Sequence, residues 1–394
     1  MTKPSQRGAL PGPFVSKLPD VGTTIFTVMS QLASEHDAIN LSQGFPDYPC
    51  HPALLTALTR AAEAGHNQYA PMAGLPTLRQ AISAKLQLSR GVTVDADQEI
   101  TVTAGATQAI FTAIAAVLHA GDEAIVLDPS YDSYAPAIAA QGATPIRVGL
   151  TAPDYAVDWH RLEQAVTPRT RLIIVNNPNN PSTSLFGASD IDALAAIAER
   201  HDLLVLADEV YEHLVFDDLT HHSVLAHPVL RARSFAIYSF GKTFHATGWK
   251  IGYCVAPPDM TTEFRKIHQF LVFAVNAPAQ HAMAEHLADP AHWQALPGFF
   301  QARRDRLAHG LVAAGFKLLP SHGTYFQLAD FTAIRHDLDD VAFARWLTIE
   351  HGVACIPVSV FHADGRDEKL VRFCFAKRDE TLDAASARLA LLNA

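Results

Sequence analysis

The 394-residue sequence contains little charge and no basic excess. Only 18% of its residues are charged, and acidic groups outnumber basic ones by 40 to 30. Binding to nucleic acid requires a dense basic surface, so the net charge of −10 argues against a nucleic-acid partner. Small anionic ligands are not excluded, because a local site can be positive on an acidic protein.

Cysteines and long apolar runs are also scarce. The four cysteines lie far apart, with no CxxC pair: Cys50, Cys254, Cys355 and Cys374. They suit free thiols in a reducing compartment better than a disulfide framework. No stretch reaches eighteen apolar residues, and the Pro- and Gly-rich first twenty residues lack the apolar core of a signal peptide. We therefore expect a cytoplasmic protein without a membrane partner.

The length and the 49% apolar content predict a globular chain of two domains. Between 99 and 238, short apolar runs alternate with helical patterns. Strands are predicted at 99–105, 123–128, 144–148, 171–177, 203–209 and 235–238. Helices are predicted at 106–119, at 134–140, and from an N-cap at Ser189 through Glu199. Strands without clean alternation, interleaved with helices, indicate an α/β fold with a mostly parallel sheet covered on both faces.

From about Asp259 the pattern changes to long helical periodicity, followed by isolated strands. Helices are expected at 261–289 and 291–315, and strands at 317–328, 353–358 and 370–375. These segments predict a smaller α+β unit. We assign 45–288 to a large domain, and 1–44 with 289–394 to an N-terminal arm plus a small domain. His221 and His222 are interpreted as exposed loop residues, and no spaced ligand set predicts a metal site.

Polar residues follow the predicted strands, and ligands of open parallel sheets bind at the carboxyl ends of strands. Gly105, Ala106 and Thr107 open a helix whose N-terminus could seat a phosphate, although such a triplet is also an ordinary cap. Tyr131 could stack on a flat ring or simply pack. Two Asn-Pro steps at 176–182 either form a plain turn or direct amide side chains off the strand end.

Three further groups at the same edge carry charge or a phenol. Asp208 ends a buried strand, where a carboxylate needs either an arginine or a cationic ring nitrogen as partner, and Tyr211 follows it. Lys242 lies beside Ser239, with Lys250 further on. Pyridoxal phosphate needs an amine, a carboxylate for its ring nitrogen, a donor to its ring oxygen, a stacking face and a phosphate seat. Dinucleotides fit less well, since no strand is followed by GxGxxG, and no P-loop motif occurs.

In combination, these motifs resemble the class I/II pyridoxal-phosphate aminotransferases of fold type I, from about Lys17 to the C-terminus. The resemblance rests on QGFPDYP at 43–49, YAPMAGLPTLR at 69–79, TAGATQAI at 103–110, DPSYDSY at 128–134, NNPNNPS at 176–182, ADEVYEH at 207–213, SFGKTFHATGWKIGY at 239–253 and VRFCFAK at 371–377. Within that family the chain is most similar to the methionine aminotransferase and kynurenine–glutamine transaminase subgroup. The resemblance implies a seven-stranded-type sheet.

The resemblance also implies roles for the residues that hold the cofactor ring. Lys242 is expected to form the Schiff base and to move the substrate α-proton. Asp208 is expected to pair with the pyridine nitrogen, Tyr211 and Asn180 to bond the ring oxygen, and Tyr131 to stack on the ring. The phosphate set is expected to be Gly105, Ala106, Thr107, Ser239 and Lys250.

Substrate residues and partners follow from the same resemblance. Arg372 is expected to fork the substrate α-carboxylate with Asn180, and Gly44 to close on it. Tyr69 is expected to reach the phosphate and substrate of a neighbouring subunit, which implies a homodimer with shared active sites. Two departures are Thr183, where the family has glycine, and Lys250, where many members have arginine.

The implied activity is ping-pong transfer of an amino group from an amino acid to a 2-oxo acid. Phe26, with Ile25, Tyr69, Phe270 and Phe273, could line an apolar side-chain pocket, although core packing explains them equally well. This pocket favours methionine, followed by kynurenine, glutamine and aromatic amino acids. A β-lyase acting on cystathionine-like thioethers or cysteine S-conjugates and an aspartate-type aminotransferase are the enzymatic alternatives. A transcriptional regulator on the same fold is disfavoured by the short arm and the acidic charge.

Overall fold

The structure is a computed structural model that describes residues 15–393, so the first fourteen residues of the predicted arm lie outside it. Its helices are α1 (Ile25–Glu35), α2 (Pro52–Glu63), α3 (Pro76–Arg90), α4 (Ala106–Val117), α5 (Tyr134–Ala140), α6 (Trp159–Gln164), α7 (Ala188–Arg200), α8 (Pro228–Arg231), α9 (Phe240–Thr243), α10 (Pro258–Leu271), α11 (Ala277–Leu287), α12 (Ala291–Gln294), α13 (Leu296–Ala313), α14 (Thr332–Arg335), α15 (Asp340–His351) and α16 (Asp379–Leu389). Its strands are β1 (Ile39–Asn40), β2 (Ile100–Thr103), β3 (Glu123–Asp128), β4 (Thr144–Gly149), β5 (Thr170–Asn176), β6 (Leu204–Asp208), β7 (Ser234–Ser239), β8 (Gly252–Val255), β9 (Lys317–Leu318), β10 (Phe326–Asp330), β11 (Val353–Ala354), β12 (Ile356–Pro357) and β13 (Leu370–Cys374). Among these residues, none of the helices has the length and apolar character needed to cross a membrane.

The large sheet has seven strands in the order β2-β8-β7-β6-β5-β3-β4. Adjacent strands are parallel, except that β8 runs antiparallel to both of its neighbours. Within β3, Ile125 and Leu127 join the core on one face, whereas Ala124 and Val126 join the core on the other. Because both faces are covered, the strand is apolar throughout rather than alternating. The predicted α/β fold with a mostly parallel sheet is confirmed.

A second sheet is antiparallel and has the order β12-β13-β10-β9. Its register places Arg372 of β13 between Leu328 of β10 and Ile356 of β12. The N-terminal segment packs beside this part, since β1 pairs with β11 and α1 contacts α15. The division at residues 45 and 289 stays a prediction.

Both long helices expected after 259 are broken. Between α10 and α11, Phe273 has a φ of 66°, and the Asn276 side chain accepts the Ala279 N–H to start a new helix. Between α12 and α13 the break falls at Ala295, with Pro297 in the first turn of the next helix. The strand expected at 317–328 is likewise β9 and β10 with a loop between them. The sequence did not reveal these breaks because its apolar periodicity runs across them. Residues on both sides of each break pack on the same core.

Two local predictions were wrong. The helix at 188–200 is capped by Gly187 rather than Ser189, because the Asp190 carboxylate accepts the Gly187 N–H at 2.9 Å. His221 and His222 are partly buried rather than exposed. The Nε2 atom of His221 lies 2.9 Å from the Asn177 carbonyl, and the Asn177 amide donates to the His222 carbonyl at 3.0 Å. These contacts tie the histidine loop to the Asn-Pro segment.

Candidate active site

A cavity of about 330 Å³ opens where β2, β5, β6 and β7 end. Thirteen of the fourteen predicted site residues line it: Phe26, Gly44, Gly105, Ala106, Thr107, Tyr131, Asn180, Asp208, Tyr211, Ser239, Lys242, Lys250 and Arg372. The fourteenth, Tyr69, lies elsewhere. Parallel strands bring their carboxyl ends to one edge, so residues far apart in sequence meet here.

Lys242 occupies the short helix α9, directly after β7. Its Nζ donates to the Tyr325 hydroxyl at 2.6 Å and to the Gly44 carbonyl at 3.2 Å. Burial lowers the pKa of Lys242 to about 8, and the nearby charges of Arg372 and Lys250 act in the same direction. An amine with this pKa is partly neutral near pH 7 to 8, which is the state that attacks a carbonyl carbon.

Asp208 ends β6 and is buried. Its Oδ2 accepts the Tyr134 hydroxyl at 2.7 Å, and its Oδ1 accepts the Val210 N–H at 3.3 Å. Burial raises the pKa of Asp208 to about 6, against the hydrogen bonds that favour its charged form. Within residues 15–393 no ion pair joins this carboxylate. A buried carboxyl of this kind would be stabilised as the anion by a cationic ring nitrogen.

The groups predicted to bond the ring oxygen and to stack on the ring flank Asp208. Tyr211 is buried, and its pKa is raised by that burial. The backbone of Asn180 is held in place because its N–H donates to the Asn176 side-chain oxygen at 2.7 Å. Tyr131 is half-buried and packs edge-to-face on Tyr134, with ring centres 5.8 Å apart. All of these residues except Tyr134 line the cavity, so the phenols of Tyr131 and Tyr211 and the amide of Asn180 lie on its wall.

The predicted phosphate seat lies at the start of α4. Gly105 precedes this helix with a φ of 77°, and a Cβ there would lie 3.2 Å from the Nζ of Lys250. Glycine therefore keeps open the space between the helix N-terminus and the lysine. Ser239 and Thr247 complete the rim. Backbone N–H groups, two hydroxyls and an ammonium are suitable donors for a phosphate, so these residues fit that end of pyridoxal phosphate.

Arg372 lies on β13 with only 1% of its surface exposed. Its Nη1 donates to the Asn180 side-chain oxygen at 2.5 Å, whereas Nε and Nη2 find no hydrogen-bond partner among the described residues. The guanidinium carbon lies 3.8 Å from the Phe326 ring centre and 5.0 Å from that of Phe361. Burial lowers the pKa of Arg372 to about 10. A buried guanidinium with free donors is a binding group for a carboxylate.

Tyr69 does not reach the cavity of its own chain. It is 81% exposed and packs edge-to-face on Phe273, with ring centres 5.1 Å apart. Phe270 and Phe273 are also exposed, at 87% and 55%. The expectation that these aromatics line the pocket therefore does not hold within one chain. Of the apolar set, Phe26 lines the cavity.

The Thr183 departure leaves Asn180 in place. Thr183 is fully buried with a φ of 63°, the left-handed conformation that glycine adopts readily. Its N–H donates to the Asn179 carbonyl and its hydroxyl to the Pro320 carbonyl, both at 2.8 Å. The hydrogen bond from the Thr183 hydroxyl to Pro320 offsets part of the strain of this left-handed backbone conformation.

Sequence reasoning missed two tyrosines. Tyr134 lies inside a quoted motif, three residues after Tyr131, and its hydroxyl binds Asp208. Tyr325 is fully buried just before β10 and touches both the Lys242 amine and the Gly44 carbonyl. Nothing in the sequence around Tyr325 marks it, because its partners lie 83 and 281 positions away.

The family described as aminotransferase class I and II matches residues 36–389. The chain therefore belongs to this family and is a transaminase. Methionine aminotransferase of Escherichia coli (strain K12) is 52% identical over 375 residues, which cover 95% of this chain and 97% of that protein. Mouse kynurenine–oxoglutarate transaminase 1 is 32% identical, with 91% and 93% of the two chains covered.

Solved structures agree with this assignment. A crystal structure of an Escherichia coli protein with methionine aminotransferase function has a TM-score of 0.95, at 52% identity, and covers 97% of this chain and all of that one. N-Succinyldiaminopimelate aminotransferase of Mycobacterium tuberculosis has a TM-score of 0.92 at 42% identity, with 96% and 100% covered. The family is one of pyridoxal-phosphate enzymes whose substrates are amino acids and 2-oxo acids.

Proposed function

We propose that this transaminase uses pyridoxal 5′-phosphate to move an amino group from an apolar or aromatic L-amino acid, with methionine preferred, to a 2-oxo acid. The observation that carries the proposal is the convergence of Lys242, Asp208 and Arg372 on one cavity. They provide an amine of lowered pKa and, among the described residues, a buried carboxyl without an ion pair and a buried guanidinium with unpaired donors. When bound, the cofactor supplies a protonated ring that stores the electrons of the broken α-carbon bond.

Each residue has a separate task in this cycle. Asp208, oriented by Tyr134, would keep the ring nitrogen of a bound cofactor protonated. Lys242 would hold the cofactor between turnovers and, once released, would carry the α-proton on Nζ. Tyr211 and Asn180 of the cavity wall would bond the ring oxygen, and the Gly105 turn with Lys250 would hold the phosphate.

The substrate is held by its α-carboxylate. Arg372 already donates to Asn180 through Nη1, which leaves Nε and Nη2 as the two donors of a fork. Gly44 packs tightly against the Phe326 ring beside this carboxylate position. A Cβ at residue 44 would lie 2.8 Å from that ring, so a larger residue would not fit. The aromatic rings of Phe26, Phe326 and Phe361 around the guanidinium exclude water.

Side-chain preference follows from what lines the rest of the cavity. In the part of the chain that the structure describes, Arg372 is the only arginine on the cavity wall, and it is required for the α-carboxylate. A dicarboxylate side chain would lack a cationic partner, whereas a thioether or aromatic ring can pack on Phe26 and Phe326. The 52% identity to a methionine aminotransferase supports the same order.

We also propose a homodimer with shared active sites in the cytoplasm. Tyr69 and Phe273 form an exposed pair of aromatic rings, and Phe270, three residues before Phe273, is exposed as well. Exposed apolar patches mark protein interfaces, and a second copy seated here would bring its Tyr69 to the neighbouring site. The cytoplasmic location is supported by four free, buried cysteines.

A panel of amino donors with several 2-oxo acids, compared by kcat/KM, tests this function. We expect methionine to exceed aspartate by at least about tenfold, since a buried unpaired carboxylate costs well over 1 kcal/mol. N-Succinyldiaminopimelate and kynurenine belong in the panel because relatives act on them. A preference for aspartate would overturn the apolar pocket. Release of pyruvate and thiol from a thioether without an oxo acid would favour the β-lyase instead.

A further inference from the structure

Three histidines outside the active site converge on one point. His51 caps α2, His286 lies in the last turn of α11, and His292 lies in α12. One ring nitrogen from each lies within 4.8 Å of the other two. His286 is buried, His292 partly buried and His51 exposed, so the cluster has one open side. The sequence predicted no metal site here, because the three residues come from separate elements.

The spacing of the rings suits a common metal ligand set. Three imidazoles bound tetrahedrally at 2.0–2.1 Å keep their ring centres roughly 5 Å apart. The His51 ring centre lies 5.0 Å from that of His292 and 5.4 Å from that of His286. The His286 and His292 rings are stacked at 3.7 Å, so ligation requires one of them to turn outward.

The hydrogen bonds around His292 point to a cation. Its Nδ1 lies 2.8 Å from the His286 carbonyl, which can only accept, so in the neutral ring Nδ1 carries the proton and Nε2 a lone pair. A carboxylate oxygen of Asp289 lies 3.9 Å from this Nε2. The carboxylate and the Nε2 lone pair together favour a positive charge at this atom, which either a proton or a metal ion would supply. An Nδ1–H bonded to a backbone carbonyl is also the usual support of a metal-bound histidine.

We propose that His51, His286 and His292 bind one divalent ion of the zinc class, with the fourth position facing the open side of the cluster. Three imidazole nitrogens favour zinc over magnesium or calcium, which prefer all-oxygen sites. At His51, Nδ1 accepts the Ala53 N–H at 3.2 Å, so the metal competes with a helix cap there and binds less tightly than in a preformed site.

A metal at this position would connect the start of α2 to the end of α11 and to α12. The Phe244 ring packs edge-to-face on His286, with centres 4.8 Å apart, and Phe244 directly follows α9, which carries Lys242. The ion would therefore stabilise the packing against which the lysine segment rests. A second histidine pair is formed by His66, shortly after the end of α2, and His281 of α11, with rings stacked at 3.8 Å and no third ligand in the described residues. That pair is a matched control.

Zinc chloride titrated into the holoenzyme by isothermal calorimetry tests the proposal. We expect one zinc per chain and a melting temperature that rises with zinc. His51→Asn, which keeps a helix-capping side chain, and His292→Gln should each weaken binding at least about tenfold and remove the thermal shift. The double variant His66→Gln/His281→Gln should bind as the parent does.

Cofactor absorbance and transamination without zinc verify that each variant is folded. Absence of a 1:1 site in the parent overturns the proposal. Equal zinc affinity in His51→Asn, His292→Gln and the parent overturns it as well. Loss of binding in the His66/His281 control alone would place the metal at the other pair and would equally refute the site.

Discussion

The two ends of the active-site cavity are assembled in different ways. At the cofactor end, Asp208 and Ser239 are the last residues of β6 and β7, and Gly105 follows β2, all in the one large, mostly parallel sheet. At the substrate end, Arg372 on the small sheet meets Asn180 beyond β5, and Tyr325 meets Gly44 across most of the chain. Lys242 lies between them, with contacts to Tyr325 and Gly44. The first end depends on local backbone geometry, and the second on how separate segments pack.

Lys242→Ala should give the largest effect because it affects both ends at once. Without the amine, neither covalent attachment of the cofactor nor proton transfer can occur, so kcat should fall by at least about 10⁴-fold. Steady-state kinetics and the visible absorbance of the bound cofactor measure the two losses. Lys266→Ala, which removes an exposed lysine, serves as the control. Turnover within tenfold of the parent would contradict the assignment.

Arg372→Lys should separate the two ends. The variant keeps the charge but loses the planar fork, so kcat/KM for methionine should fall about 10²- to 10³-fold. Cofactor affinity and absorbance should stay as in the parent, because Arg372 is not part of the phosphate seat. Arg306→Lys, on an exposed ion pair, is the matched control. Equal losses in cofactor binding and in catalysis would show that the two ends are not independent.

The pKa of Lys242 can be measured in the cofactor-free protein. Only the neutral amine reacts with an aldehyde, and burial lowers the pKa of this lysine to about 8. The rate of cofactor capture should therefore rise with pH and reach half its plateau near pH 8, rather than near the value of about 10.4 for a free lysine. Stopped-flow absorbance across pH 6–11 follows this rate. A midpoint near 10 would mean that burial does not act on the amine.

Tyr325→Phe tests whether the substrate end positions the lysine. The hydroxyl accepts from the amine at 2.6 Å and so favours its charged form. Its removal should lower the midpoint of cofactor capture and reduce kcat about three- to tenfold, the value of one hydrogen bond. Tyr134→Phe, which removes the bond to Asp208, should change kcat and move that midpoint less, because it acts on the amine only through the Asp208 charge. An unchanged midpoint in Tyr325→Phe would assign the residue to packing alone.

The smallest effect is expected at Thr183. Replacement by glycine relieves about 1–2 kcal/mol of left-handed strain but loses the bond to Pro320 and adds chain entropy. The free energy of unfolding of Thr183→Gly, measured by urea denaturation, should therefore differ from that of the parent by less than about 1 kcal/mol. Thr183→Val keeps the strain without the bond and should destabilise the protein by about 1–2 kcal/mol. A large gain with glycine would show that the hydroxyl contributes little.

The difference between the two ends also explains what the sequence could reveal. Strand ends are readable, because an apolar run followed by a polar residue marks both the element and the edge where Asp208 and Lys242 lie. Contacts between remote segments leave no such pattern, which is why Tyr325 was missed. The break at Phe273 was hidden by apolar periodicity continuing on either side. Tyr69 lies at the surface of its own chain, and a single chain does not show what it contacts.

The buried state of Arg372 has a consequence for selectivity. Its guanidinium has already lost its hydration when the chain folds, so the carboxylate of an incoming amino acid does not have to displace water from it. Every α-amino acid gains this advantage equally, and equal gains cannot discriminate among donors. Discrimination must then arise where the substrate side chains differ, along the cavity wall that Phe26 contributes beside the guanidinium. Substitutions at Phe26 should therefore reorder the preferred donors, whereas changes at Arg372 should weaken all of them alike.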